Sequence, residues 1–259
     1  MDKKEVEEVL KSFVIAVIIA MLCVCMGCVA ESNTTVLPVT DEKISIEPTE
    51  NNKIFHCEIT SILNQEYMGA EESLIQFEFS RPVFSGDSAI EEIICLAFDK
   101  EEIQYRSDMQ KIIEEYGLFA CNDIRYFTKL AEIAYEDERF ISFVLNEKQY
   151  MGGVLNTSKM GHSFDKIEGR ELRVGDFLHK DDENLQDFLL DRFTEWYEET
   201  YKEALTDNEI INSVKEQSNQ NAIFYISDDG IHVFYQPYTV SAFLDGVDIL
   251  IDWESITVE

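Results

Sequence analysis

Residues 222–235 read AIFYISDDGIHVFY, and this stretch indicates the fold class more directly than any other part of the chain. Two apolar segments flank Asp228-Asp229-Gly230, and an Asp-Gly turn between alternating segments is a strong signal for a β-hairpin. The segment IQFEF (75–79) has the same two-residue period, whereas residues 184–204 carry apolar side chains at helical spacing. The sequence therefore predicts an α+β protein of mainly antiparallel sheet with helices packed on one face.

The sheet-forming part of the chain is predicted to consist of two small domains, residues 53–155 and 156–259. A Gly152-Gly153 pair ends the first run of predicted strands, and a second unit begins near Ser163. Before these domains, residues 31–52 are polar and contain two prolines, which is typical of a linker.

Residues 13–30 (FVIAVIIAMLCVCMGCVA) form an uncharged apolar segment that is long enough to cross a bilayer as one helix. Three lysines lie in residues 1–12, and no Lys or Arg follows until Lys43. The positive-inside rule then places residues 1–12 in the cytoplasm and the bulk of the chain outside. We expect one N-terminal hydrophobic helix at the cell membrane, with the C-terminal part facing outward.

Three fates of this apolar segment fit the same residues. It is retained as a signal anchor, it is cleaved after Ala30 as a signal peptide, or Cys28 is lipidated after cleavage as in a lipoprotein. Gly27 before Cys28 favours the lipoprotein alternative, whereas Cys25 replaces the Leu that is usual three residues before the lipidated cysteine.

The charge of the chain limits its partners. The 52 acidic residues outnumber the 21 Lys and Arg residues, which gives a formal net charge of −31. Nucleic acid is excluded as a partner because phosphate binding requires basic patches. A cationic protein would be attracted over long distances.

No catalytic motif, metal-ligand spacing or cofactor-binding loop is present. The four histidines are far apart in sequence, and His232, in an apolar strand, is expected to be a neutral, hydrogen-bonded residue. Six cysteines are present, but only Cys57, Cys95 and Cys121 lie outside the apolar segment, and their pairing stays open. We therefore expect no enzyme, no metal site and no cofactor.

Candidate binding residues lie near the C-terminus. Tyr235 and Tyr238 belong to an aromatic-rich segment, and both a core position and a surface position at a binding interface fit them. Asp228 and Asp229 in the hairpin turn are acidic candidates for the same interface, although a solvated turn explains them equally.

Four segments resemble the RsiV-like and PdaC-like family of paired extracytoplasmic domains. They are RPVFSGDSAIEEI (81–93), RFISFVLNEKQYMGG (139–153), SFDKIEGRELRVGDFL (163–178) and FYISDDGIHVFYQPYTVSAFLDGVDILIDW (224–253). The resemblance implies a PdaC-like domain over 53–155 and an RsiV-like domain over 156–259, of a kind that in this family binds lysozyme. We expect neither anti-sigma activity nor deacetylation, because residues 1–12 are too short for the sigma-binding segment and no deacetylase sequence follows.

The sequence thus predicts a membrane-tethered binding or sensing module of the bacterial cell envelope. Its expected ligand is a cationic protein such as lysozyme, or a cell-wall ligand such as peptidoglycan. Two alternatives remain open: an enzyme that acts on cell-wall glycan through paired carboxylates, and a regulator that is released by proteolysis.

Overall fold

A computed structural model describes residues 56–86, 88–237 and 246–256, all of which belong to one compact unit, Lys53–Glu259. The predicted apolar segment with Cys28, the predicted linker and Tyr238 lie outside the described residues. None of the helices in the described ranges combines the length and the apolar composition that crossing a membrane requires.

The larger of two sheets, sheet A, has six strands in the order β1-β2-β3-β4-β5-β6. All neighbouring strands are antiparallel except β2 and β3, which run parallel and are connected by the long helix α1 (Ala89–Tyr116). The strand bounds are β1 Cys57–Met68, β2 Leu74–Phe84, β3 Arg125–Glu136, β4 Phe140–Tyr150, β5 Leu155–Asp165 and β6 Arg170–Glu171.

Helix α1 covers one face of sheet A. It begins at a capping box, in which the Ser88 hydroxyl accepts the Glu91 N–H and the Glu91 carboxylate accepts the Ser88 N–H at 2.7 Å. Its apolar side chains pack on the inward side chains of the strands and form the first core. The largest members of this core are Phe77, Phe79, Phe98, Tyr105, Phe143 and Phe164.

The smaller sheet, sheet B, is an antiparallel meander of β7 (Ile223–Ile226), β8 (Gly230–Tyr235) and β9 (Val247–Asp252). The predicted Asp-Gly hairpin is confirmed as the β7–β8 turn. One face of sheet B packs against three helices to form the second core. These helices are α2 Val174–Leu178, α3 Asp182–Tyr201 and α4 Asn208–Gln217.

Strand β7 lies across the face of sheet A that α1 does not cover. The Ile226 N–H donates to the buried Ser142 hydroxyl on β4 at 2.9 Å. A Cβ atom at Gly161 on β5 would lie 1.8 Å from the carbonyl oxygen of Phe224. Each sheet therefore has its helices on one side, which confirms the predicted α+β class.

The expected division at residue 155 stays a prediction. In the structure, Gly152-Gly153 lies in the turn between β4 and β5, and sheet A continues through β5 to Glu171.

Candidate functional site

A cavity lies where the start of β4, the β5–β6 turn, α2 and the segment after β9 meet. Its volume is about 530 Å³, larger than two other cavities of about 360 and 450 Å³, and within the range of small-ligand sites. We call it the aromatic pocket; its lining includes Arg139, Phe140, Glu168, Arg170, Phe177 and Trp253.

Three rings form the apolar part of the aromatic pocket. The ring of Phe177 lies between those of Phe140 and Trp253, with centroid distances of 5.1 and 5.8 Å. Trp253 remains 37% exposed, and its indole N–H donates to the Asp228 carbonyl at 2.9 Å. Because that bond satisfies the polar atom of the indole, the ring can contact a ligand through its apolar surface.

Five acidic and basic side chains line the polar part of the pocket, and the two kinds alternate. Asp165 accepts from Arg139 Nε at 2.8 Å, and Arg139 also reaches Glu168 at 3.4 Å. Arg170 then donates to Glu168 at 2.7 Å and to Asp176 at 2.7 Å. We call this series, Asp165–Arg139–Glu168–Arg170–Asp176, the ionic ladder.

Two acids of the ionic ladder, Asp165 and Asp176, favour their ionised form. Burial alone raises the pKa of Asp165, but hydrogen bonds from the Glu168 N–H, from Arg139 and from the Ile167 N–H outweigh burial and hold this pKa below its usual range. At Asp176, burial also raises the pKa, but the hydrogen bond from Arg170 outweighs burial and lowers this pKa below its usual range. The two carboxylates are therefore fixed hydrogen-bond acceptors.

The structure places the predicted binding residues in different environments. Asp228 and Asp229 are exposed in the β7–β8 turn, and the Asp228 backbone supports Trp253 of the aromatic pocket. Tyr235 is only 1% exposed, its hydroxyl lies 3.0 Å from Ser218 Oγ, and burial raises its pKa to about 12. This burial supports the core interpretation of Tyr235 and corrects the surface one.

A second polar group, the His232 cluster, consists of His232, Asp248, Tyr225 and Lys159. Asp248 lies 2.8 Å from His232 Nδ1, accepts from the Tyr225 hydroxyl at 2.9 Å and pairs with the Lys159 ammonium. The His232 and Tyr225 rings are stacked at 4.7 Å. Because Lys159 belongs to β5 and the other three residues to sheet B, the cluster ties the two sheets together.

His232 is hydrogen-bonded, as expected, and its carboxylate partner favours the protonated form of the ring. The hydrogen bond to Asp248 raises the pKa of His232 above its ordinary value. Burial raises the pKa of Asp248, but His232 and Lys159 outweigh it and lower this pKa to about 2. The period of the strand alone does not reveal that Asp248 lies beside His232 across the β8–β9 pairing.

His162 lies in a third polar group, under α1. Its Nδ1 is 2.7 Å from Glu171, and its Nε2 is 3.4 Å from Glu101. Burial lowers the pKa of His162, but the two carboxylates outweigh burial and raise it to about 9. Among the described residues, no group of three or more His, Cys, Asp or Glu side chains is arranged to hold a metal ion.

Sequence reasoning did not find the aromatic pocket. Its rings come from positions 140, 177 and 253, which only the fold brings together. Phe140, Phe177 and Trp253 each lie within a segment on which the family resemblance rests, and that coincidence was the available signal.

Comparison with known proteins supports a family relationship for the part that contains α2 and sheet B. Residues 175–254 match the DUF3298 family. This family model, described as a protein of unknown function, covers Asp176, Phe177 and Trp253 of the aromatic pocket. No curated protein matches the chain.

Two solved structures of DUF3298 proteins are similar to this chain. The one from Bacteroides fragilis is 18% identical, with 78% of this chain and 91% of that chain covered and a TM-score of 0.46. The one from Pseudomonas aeruginosa is 9% identical, with 78% and 93% covered and a TM-score of 0.49.

Proposed function

We propose that the protein is an extracytoplasmic binding or sensing module of the bacterial cell envelope. Residues 13–30 tether it to the membrane, and the aromatic pocket binds its ligand. The pocket carries this proposal, because it joins a partly exposed ring surface to fixed polar groups, the combination that orients ligands in binding sites. The resemblance to the RsiV-like and PdaC-like domains supports the same compartment.

Two ligand classes suit this module: a cationic protein such as lysozyme, and a cell-wall component such as peptidoglycan. The net charge of −31 favours the encounter with a cationic protein. An exposed tryptophan at a cavity is also a typical anchor at protein interfaces.

The main alternative is an enzyme that acts on cell-wall glycan. Such enzymes need a carboxylic acid whose pKa is raised, so that it can protonate the leaving group. In the aromatic pocket, the pKa values of Asp165 and Asp176 are shifted downward instead. Asp165 and Asp176 are therefore poor candidates for the acid that protonates a leaving group. Release of a regulator by cleavage within residues 31–52 is compatible with the same binding role.

The first experiment tests the compartment. External protease added to intact cells should degrade the body of the full-length protein, whereas an intact polypeptide in the cytosolic fraction would contradict the tethered role.

The second experiment tests binding by the full-length chain in mild detergent. It is titrated with lysozyme and mixed with peptidoglycan sacculi in a pelleting assay, at about 20 and 150 mM salt. We expect saturable binding to at least one, weakened about tenfold by Trp253→Ala. Ile103→Ala, an exposed apolar position on α1, is the matched control and should bind as wild type. Absence of binding to both ligands at low salt would refute the proposal.

A further inference from the structure

The charges of the ionic ladder are paired within the protein. Each guanidinium bridges two carboxylates: Arg139 lies between Asp165 and Glu168, and Arg170 between Glu168 and Asp176. A ligand that entered beside this ladder would meet positive and negative groups together. Along the length of the ladder, a cationic ligand would meet arginines as well as carboxylates, and an anionic ligand would meet carboxylates as well as arginines.

The ladder nevertheless offers both kinds of hydrogen-bonding group. Its internal bonds use Nε and one terminal nitrogen of each arginine, so Nη1 of Arg139 and Nη2 of Arg170 lie outside the ladder. Each carboxylate has about four lone-pair sites. Because Glu168 and Arg170 are both roughly half exposed, a ligand can reach them. Hydroxyl groups, which donate and accept, match such a wall.

The lining of the aromatic pocket also includes an apolar surface of rings. Phe140, Phe177 and Trp253 follow one another at centroid distances below 6 Å. The indole N–H of Trp253 is already bonded to the Asp228 carbonyl, so the ring contributes its hydrocarbon surface. A ligand with one apolar face and a polar edge would match both the rings and the ionic ladder.

We infer that the aromatic pocket binds a neutral saccharide. One pyranose ring packs its C–H face on Phe177 and Trp253, and its hydroxyls hydrogen-bond to Glu168 and Arg170. The inference rests on the proposed function, in that the pocket is the binding site, and it selects a ligand class that the proposed function leaves open.

Charged sugars of the same shape fit the pocket less well. An ammonium group only donates hydrogen bonds, so it would leave the N–H donors of Arg139 and Arg170 unmatched, whereas a carboxylate ligand only accepts and would face three acids against two arginines. The neutral ring avoids both penalties.

Tryptophan fluorescence of the full-length chain provides the test, because the chain has two tryptophans, Trp196 and Trp253. The Trp196→Phe variant retains Trp253 as its only tryptophan, and this residue lines the pocket. Three probes are trimers of six-membered sugar rings that differ in charge: a trimer of N-acetylglucosamine, which is neutral; a trimer of glucosamine, which is cationic; and a trimer of galacturonate, which is anionic.

We expect a saturable change in Trp253 emission with the neutral trimer and a Kd about tenfold higher or more for both charged trimers. The Trp253→Phe variant, which reports through Trp196, should show no change. Arg170→Gln should weaken binding about tenfold, whereas Glu168→Gln, which removes charge and keeps hydrogen-bonding atoms, should change the Kd less than about threefold. Thermal unfolding of each variant checks its fold.

The outcomes separate this inference from the proposed function. Preference for the glucosamine trimer, or no response to any sugar while lysozyme binding still depends on Trp253, would overturn the saccharide inference and leave the proposed function standing. No response to sugars, lysozyme or sacculi would overturn both.

Discussion

Gly161 on β5 lies directly against the carbonyl oxygen of Phe224 on β7, so closely that a Cβ atom there would be 1.8 Å from that oxygen. The obstacle is backbone, which cannot rotate away as a flexible side chain can. Gly161→Ala must therefore separate the two sheets locally. We expect a loss of about 2 kcal/mol or more in the free energy of unfolding, measured by urea denaturation.

Gly153→Ala is the control for this substitution. A Cβ atom at Gly153 would have no neighbour within 4 Å, and we expect a change below about 0.5 kcal/mol. Equal stability of the two variants would contradict the close contact between β5 and β7.

Ser142 makes the second contact between the sheets. Its hydroxyl accepts the Ile226 N–H at 2.9 Å and lies 2.8 Å from Ser163 Oγ. Ser142→Ala leaves a buried N–H without its acceptor, so we expect a loss of about 1–3 kcal/mol in chemical denaturation. Ser163→Ala preserves that acceptor and should cost less. A larger loss of stability for Ser163→Ala than for Ser142→Ala would show that the bond from the Ile226 N–H is not the main contribution of Ser142 to stability.

The stability contributed by His162 should depend on pH. Its pKa of about 9 in the folded protein lies above its ordinary value of 6.5. The stabilisation is therefore complete below about pH 6.5 and is lost as pH rises through about 9. The difference in unfolding free energy between wild type and His162→Gln should fall by at most about 3 kcal/mol between pH 6 and pH 10.

Glu171→Gln tests the cause of this pH dependence. Removal of the Glu171 carboxylate, which lies 2.7 Å from His162 Nδ1, should move the loss of stability to lower pH. An unchanged midpoint would assign the raised pKa of His162 to Glu101 alone.

Tyr235→Phe distinguishes a core role from a binding role. The substitution removes only the hydroxyl that pairs with Ser218, so we expect a loss of about 0.5–1.5 kcal/mol in unfolding free energy. Binding to lysozyme or sacculi should be unchanged, because the side chain is buried. A large loss of binding with intact stability would restore Tyr235 as an anchor.

Local signals predicted much of the fold. The Asp-Gly turn specifies the β7–β8 hairpin through backbone geometry, and the helical spacing of apolar residues within 184–204 predicts helix α3. Both features depend on residues that are close in sequence, so one sequence suffices to find them.

Tyr235 shows why the same reasoning did not separate core from surface near the C-terminus. Alternation along a strand distinguishes two faces only if one of them is exposed. Phe234 and Tyr235 point to opposite faces of β8, yet both are buried, because sheet B lies between sheet A and the helices. Lys159 on β5, whose ammonium lies 5.6 Å from the centroid of the Phe234 ring, is far away in sequence.

Strand β5 both completes the hydrogen bonding of β4 and forms, at Gly161, the surface against which β7 rests. A fragment that ended at residue 155 would leave the β4 backbone as a long open edge, and the remaining piece would lack a support for β7. Truncation of the chain at this position should yield aggregating protein. The parts before and after residue 155 should therefore be expressed and engineered together.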